Sequence, residues 1–135
     1  MPSKKDGVMI ILSSPSGAGK TSLVRAAATL TPPDKGTVTV FGHDVVKQGA
    51  DVRADIGLVF QEACLDRHLT VEEHLELHAR LYRLPGRSFL VKESLRFAGL
   101  ADLGALRVRE LSGGTGRLLE IARGLMHRPR ILFLD

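Results

Sequence analysis

The sequence predicts an α/β fold with a mostly parallel sheet and a helical subdomain, and three observations carry that prediction. An apolar run, Val8 to Ser13, passes through a glycine-rich loop directly into the Ala- and Leu-rich stretch Lys20 to Leu30. Near the other end, Leu118, Leu119, Ala122, Leu125 and Met126 recur at helical spacing and lead into a second apolar run, Arg130 to Asp135. Between them the chain reads as helix from about residue 62 to 110. Strands that are apolar on both faces and joined to helices belong to the interior of parallel sheets.

Each element follows from its own residues. Thr31-Pro32-Pro33-Asp34-Lys35-Gly36 breaks the first helix, and Thr37 to Phe41 alternates with β-branched residues, predicting a strand followed by a turn at Gly42-His43-Asp44. Asp55 to Phe60 predicts another strand, ending at Gln61. Thr70-Val71-Glu72-Glu73 is a capping box: the threonine oxygen satisfies an orphan amide while Glu73 reaches back. Val71, Leu75, Leu81 and Leu84 fall near one face of the helix it opens, with Pro85-Gly86 as the stop. Phe89 to Ala98 predicts a further helix, closed by Gly99. The expected division is a phosphate-loop core over residues 1–61, a helical subdomain over 62–110, and a last helix and strand over 111–135.

Composition narrows the function. With 135 residues and 14.7 kDa the chain has room for one core, and 44% hydrophobic with 25% charged residues excludes disorder. The net charge of +4 is mild. Five Phe, one Tyr and no Trp argue against a base-stacking platform. The arginines at 107, 109, 117, 123, 128 and 130 are interspersed with apolar residues, so no nucleic-acid partner is expected. A lone Cys64 excludes an internal disulfide framework and a multi-cysteine zinc site. The apolar run Val8 to Leu12 falls short of the ~7–15 residues of a signal core and of the ~20 of a membrane helix, which suggests a cytoplasmic chain. His74 and His78 stand four apart on a predicted helix, but Glu76 is not placed for His-Glu-x-x-His chemistry, and a solvated helix face is the expectation.

Ser14-Pro15-Ser16-Gly17-Ala18-Gly19-Lys20-Thr21 matches the phosphate-binding loop except at its first position, where serine replaces glycine. Glycines let successive backbone amides turn inward around phosphates, and the following helix, Lys20 to Leu30, presents its positive end, with Ser22 counted among the nucleotide-binding residues. Lys20 supplies a charge to the β- and γ-phosphates, and the Thr21 hydroxyl suits Mg²⁺. The expected fold is therefore a P-loop NTPase. Over residues 11–23 the loop resembles that of guanylate kinases, with the same serine–proline–serine run; nothing after Arg25 continues that likeness.

From about Thr31 onward the sequence resembles the nucleotide-binding domain of ATP-binding cassette (ABC) transporters. Gly36 to Val45 is similar to the hairpin after the first helix of that family, and Ile56 to Glu62 to its Q-loop. Leu65 to Glu73 is similar to the entry of its helical subdomain, Leu111-Ser112-Gly113-Gly114 to its signature, and Arg130 to Asp135 to its Walker B strand. The resemblance implies that Gln61 ligates Mg²⁺ and orients water, and that Asp135 holds Mg²⁺ through water. It also implies that the signature closes on ATP held by a second nucleotide-binding domain, with a transmembrane permease as further partner. Thr115 stands where the family usually has Gln. No aromatic residue among the 13 before Ser14 corresponds to the family's adenine-stacking ring, and the glutamate and switch histidine that follow Walker B in the family have no counterpart before the last residue, Asp135. The sequence thus reads as an incomplete domain; Thr37 to Asp44 and Leu65 to Pro85 most resemble the drug- and antibiotic-export branch, which implies a peripheral place at the inner membrane face when assembled. A nucleoside-monophosphate kinase and a non-catalytic or chimeric nucleotide-binding fragment are the alternatives.

Overall fold

The computed structural model describes residues 24–59 and 65–134, and the backbone of 9–12. The chain forms two compact units, one made of residues 1–58 with 129–135 and the other of residues 59–128. The predicted last segment, 111–135, is shared between them.

In the first unit, strands β1 (Met9–Leu12), β5 (Ile131–Leu134) and β4 (Ile56–Val59) form a sheet in the order β1-β5-β4. β1 and β5 run parallel, with Met9 opposite Ile131 and Leu12 opposite Leu134. A parallel strand pair of the predicted sheet is therefore present among the described residues. Its core gathers Ala28, Val40, Val45, Val52, Ile56, Ile131 and Phe133.

The predicted strand at 37–41 is shorter and its turn sits earlier. β2 (Thr39–Val40) pairs antiparallel with β3 (His43–Asp44) across Phe41 and Gly42, whose φ angles are 51° and 81°. Two central residues with positive φ suit the right-handed twist of a hairpin, so His43 and Asp44 belong to the returning strand rather than to the turn. Asp44 then organises the next loop. Its Oδ1 accepts from the amides of Val46 at 2.8 Å and Lys47 at 2.9 Å, and these bonds, that of Lys47 foremost, hold its carboxyl below the usual value. A short helix, α1 (Gly49–Asp55), follows where the sequence suggests no element; only Val52 of it is buried, so one apolar contact carries it and no periodic pattern announces it.

The second unit is helical. α2 (Val71–Leu81) opens with the predicted capping box: Glu73 N–H donates to Thr70 Oγ1 at 3.1 Å, and Thr70 N–H donates to the Glu73 carboxylate at 2.7 Å. Val71, Leu75 and Ala79 are fully buried, but Leu81 is 72% exposed and lies off the predicted face. The helix stops before Pro85 because Arg83 takes a left-handed conformation, φ 52°, with Arg83 N–H donating to the Arg80 carbonyl at 3.0 Å and Leu84 N–H to the Ala79 carbonyl at 2.9 Å. That pair of bonds closes a Schellman motif, which tucks Leu84 against the core. α3 (Arg87–Phe97) ends the same way at Gly99, φ 70°, with Leu100 N–H on the Leu95 carbonyl at 2.7 Å. α4 (Gly113–Leu125) adds Leu119, Ala122 and Met126 to the buried cluster formed by α2 and α3. Among the described residues no helix is long and apolar enough to cross a membrane.

Candidate functional site

The predicted loop residues Ser14, Pro15, Ser16, Gly17, Ala18, Gly19, Lys20, Thr21 and Ser22 lie outside the described residues, as do Gln61 and Asp135. The structure describes the strands that lead to them. β1 ends at Leu12, just before the loop, and β5 ends at Leu134, the residue before Asp135. Because the two are parallel neighbours with Leu12 opposite Leu134, they finish level at one edge of the sheet. β4, on the other side of β5, ends at Val59, shortly before Gln61. Ligands of α/β sheets bind beyond the carboxyl ends of parallel strands, where loops from adjacent strands converge.

The signature residues lie within the described part. Leu111 is half-buried and packs against the helical core, which fixes where α4 begins. Ser112 is the N-cap: its Oγ accepts from Thr115 N–H at 3.2 Å and lies 2.8 Å from Thr115 Oγ1. Gly113 and Gly114 are exposed and form the first helical residues. A Cβ added at either would meet no atom within 4 Å. Glycine inside a helix costs roughly 0.5–1 kcal/mol relative to alanine, and no contact among the described residues requires it here. Glycine at both positions makes sense if a group from outside comes close to the helix backbone. The amides of Gly113 and Gly114 and the Ser112 hydroxyl are the donors such a group meets, and they suit an anion.

The sequence pattern does not disclose Glu120. It is 3% exposed on the inner side of α4, and Arg117 Nη1 donates to its Oε2 at 3.4 Å. Its i, i+3 spacing from Arg117 is the one signal in the sequence, and such pairs are usually solvated.

The two helix histidines are not a solvated face. His74 is 5% exposed, and its Nε2 donates to the Asp66 carbonyl at 2.8 Å, which ties the residues before α2 to the helix. His78 points elsewhere: its Nε2 lies 3.2 Å from His127 Nδ1, and Tyr82 stacks on both rings at centroid distances of 4.5 and 4.1 Å. Burial, then the neighbouring His127 and Arg123, push the His78 imidazole down to about 4, so it is neutral at physiological pH. Among the described residues no group of three or more potential ligands is placed to hold a metal.

Strand order, the loop-bearing strand end and the helical unit with its glycine-fronted helix define a P-loop NTPase of the cassette type. The chain belongs to the ABC transporter family, whose model matches residues 3–135. The match takes in the predicted phosphate loop, so the guanylate-kinase likeness of residues 11–23 is local, and one family accounts for the sequence on both sides of Thr31. Daunorubicin resistance ATP-binding protein DrrA3 of Streptomyces coeruleorubidus is 46% identical over 123 residues, 90% of this chain and 39% of its own length. Nod factor export ATP-binding protein I of Azorhizobium caulinodans is 42% identical over 121 residues, 88% of this chain and 38% of its own. The chain thus spans well under half the length of these curated relatives. A solved structure described as an ATP-binding subunit of an ABC transporter superposes with a TM-score of 0.75, covering 93% of this chain and 52% of that one; at 23% identity it shows the shared fold.

Proposed function

We propose that this chain binds Mg-ATP as the ATP-binding part of an ABC exporter, and that in the assembled transporter hydrolysis of that nucleotide drives export. The observation that carries the reading is the parallel register of β1 and β5. It brings the strand end that leads into Ser14–Ser22 level with the strand end that leads into Asp135. In this reading the amides of the loop and Lys20 grip the phosphates, and Gln61 orients water. Thr21, Gln61 and Asp135 offer a hydroxyl, an amide oxygen and a carboxylate, a donor set of oxygens only, which suits a hard cation such as Mg²⁺. Mg²⁺ when bound would neutralise phosphate charge.

The signature Leu111-Ser112-Gly113-Gly114 serves a second nucleotide-binding domain: its exposed amides and the Ser112 hydroxyl close on the terminal phosphate held by the partner copy. A membrane permease completes the assembly and places the chain at the inner membrane face. The names of the relatives, daunorubicin resistance and Nod factor export, favour an exporter. The test is binding of a fluorescent ATP analogue to the 135-residue chain in Mg²⁺ and in EDTA. Saturable binding that weakens at least tenfold in EDTA, and that Asp135→Asn weakens in Mg²⁺ only, supports the reading. Absence of binding in Mg²⁺ overturns it.

A further inference from the structure

We propose that Thr115 is a positioning residue for the signature, one that holds the Ser112 hydroxyl as a phosphate donor; this rests on the signature reading given above. A serine hydroxyl has one proton and two lone pairs. The Thr115 amide occupies one Ser112 lone pair at 3.2 Å, and Thr115 Oγ1 lies at 2.8 Å, a full-strength hydroxyl–hydroxyl distance. When the Thr115 hydroxyl donates, both Ser112 lone pairs are filled and the Ser112 proton has no partner within the pair. Ser112 is then a donor only.

The location makes that donor useful. Ser112 is exposed, and it borders Gly113 and Gly114, where no side chain of the described residues stands between the backbone and an incoming group. An anion arriving there polarises a chain that runs from the Thr115 hydroxyl to the Ser112 hydroxyl to the phosphate oxygen. Each bond in such a chain strengthens the next. The donated proton is that of the Thr115 hydroxyl, so the device depends on the threonine of this chain. Thr115 itself touches no phosphate in this arrangement; it acts through Ser112.

The test compares the full chain with Thr115→Val, which removes the hydroxyl and keeps the branched shape, and Thr115→Ser, which keeps the hydroxyl. Two quantities are read on each: affinity for a fluorescent ATP analogue at low protein concentration, which reports the phosphate loop, and Mg-ATP-dependent self-association by sedimentation, which reports the signature. The expected result is unchanged nucleotide affinity in both variants, association weakened about three- to tenfold in Thr115→Val, the size of one lost hydrogen bond, and association restored in Thr115→Ser. Thermal unfolding is followed in parallel. A Thr115→Val protein with unchanged association overturns the positioning role, and so does one whose loss of association follows a matching loss of stability; Thr115→Ala replaces it if the valine variant does not fold. If the unaltered chain binds ATP but never self-associates with it, the signature reading fails and the inference fails with it, a result distinct from a silent Thr115→Val.

Discussion

Gly113 and Gly114 stand where alanine would serve the fold better. Both open α4 in space that a Cβ would leave undisturbed, so Gly113→Ala and Gly114→Ala should each stabilise the chain by about 0.5–1 kcal/mol in chemical denaturation. The same substitutions should weaken ATP-dependent association, because the added methyl occupies the approach to the helix backbone. Stability and association moving in the same direction would contradict a binding role for these glycines. Arg83 shows the opposite case. It takes a left-handed conformation at φ 52° that costs a non-glycine residue about 1 kcal/mol, and its exposed side chain is free of the core. Arg83→Gly should therefore raise stability by up to about 1 kcal/mol, and a lower unfolding midpoint would show that the side chain matters more than the backbone. Arg83 also explains why the apolar face of α2 was only partly legible. Val71 and Leu75 pack as their spacing predicts, but no glycine in the sequence marks the helix end at this arginine, so Leu81 and Leu84 read as one face although Leu84 alone reaches the core.

At the scale of elements, local chemistry was legible where side chain and backbone agree. The Thr70–Glu73 capping box is written in the sequence and formed in the structure, and Thr70→Ala should cost about 1 kcal/mol in thermal unfolding. A cost near zero would mean that packing of Val71 and Leu75 alone holds the start of α2. The helix α1 was not legible, because a single buried valine leaves no period to detect. Nor was the pairing of His78 with His127, which lie 49 positions apart on different elements and meet only when α2 and α4 pack. That packing predicts a pH dependence. His78 titrates at about 4 in the folded chain against an ordinary value of 6.5, so well above pH 6.5 it is neutral whether folded or unfolded. As pH falls from 6.5 toward 4 the unfolded chain takes up a proton that the folded chain refuses. Stability is then lost, on the order of 3 kcal/mol by pH 4. His78→Phe, which keeps the stacking on Tyr82, should flatten the decline; identical pH profiles for the two proteins would contradict the assignment.

For the whole molecule, the sheet and the family were legible from short stretches in a fixed order. The apolar runs at 9–12 and 131–134 pair directly, and the motifs between them follow the sequence of an ABC domain, as the match over residues 3–135 bears out. The boundary of the units was harder to see. The run after the signature reads as one piece with the final strand, but α4 packs into the helical unit while β5 joins the sheet, because the chain crosses between units near Arg128 and Pro129. No single segment of sequence carries that crossing; it depends on which core each apolar face finds. The roles of the loop, Gln61 and Asp135 rest on motif chemistry and on the strand ends that lead to them.

The most direct test of the account is calorimetric titration of the 135-residue chain with Mg-ATP, beside Lys20→Ala. The account predicts saturable binding to the unaltered chain and loss of at least tenfold in affinity when the Lys20 charge is removed, with the unfolding profile unchanged. Equal affinities for the two proteins, or no binding to either, would contradict it.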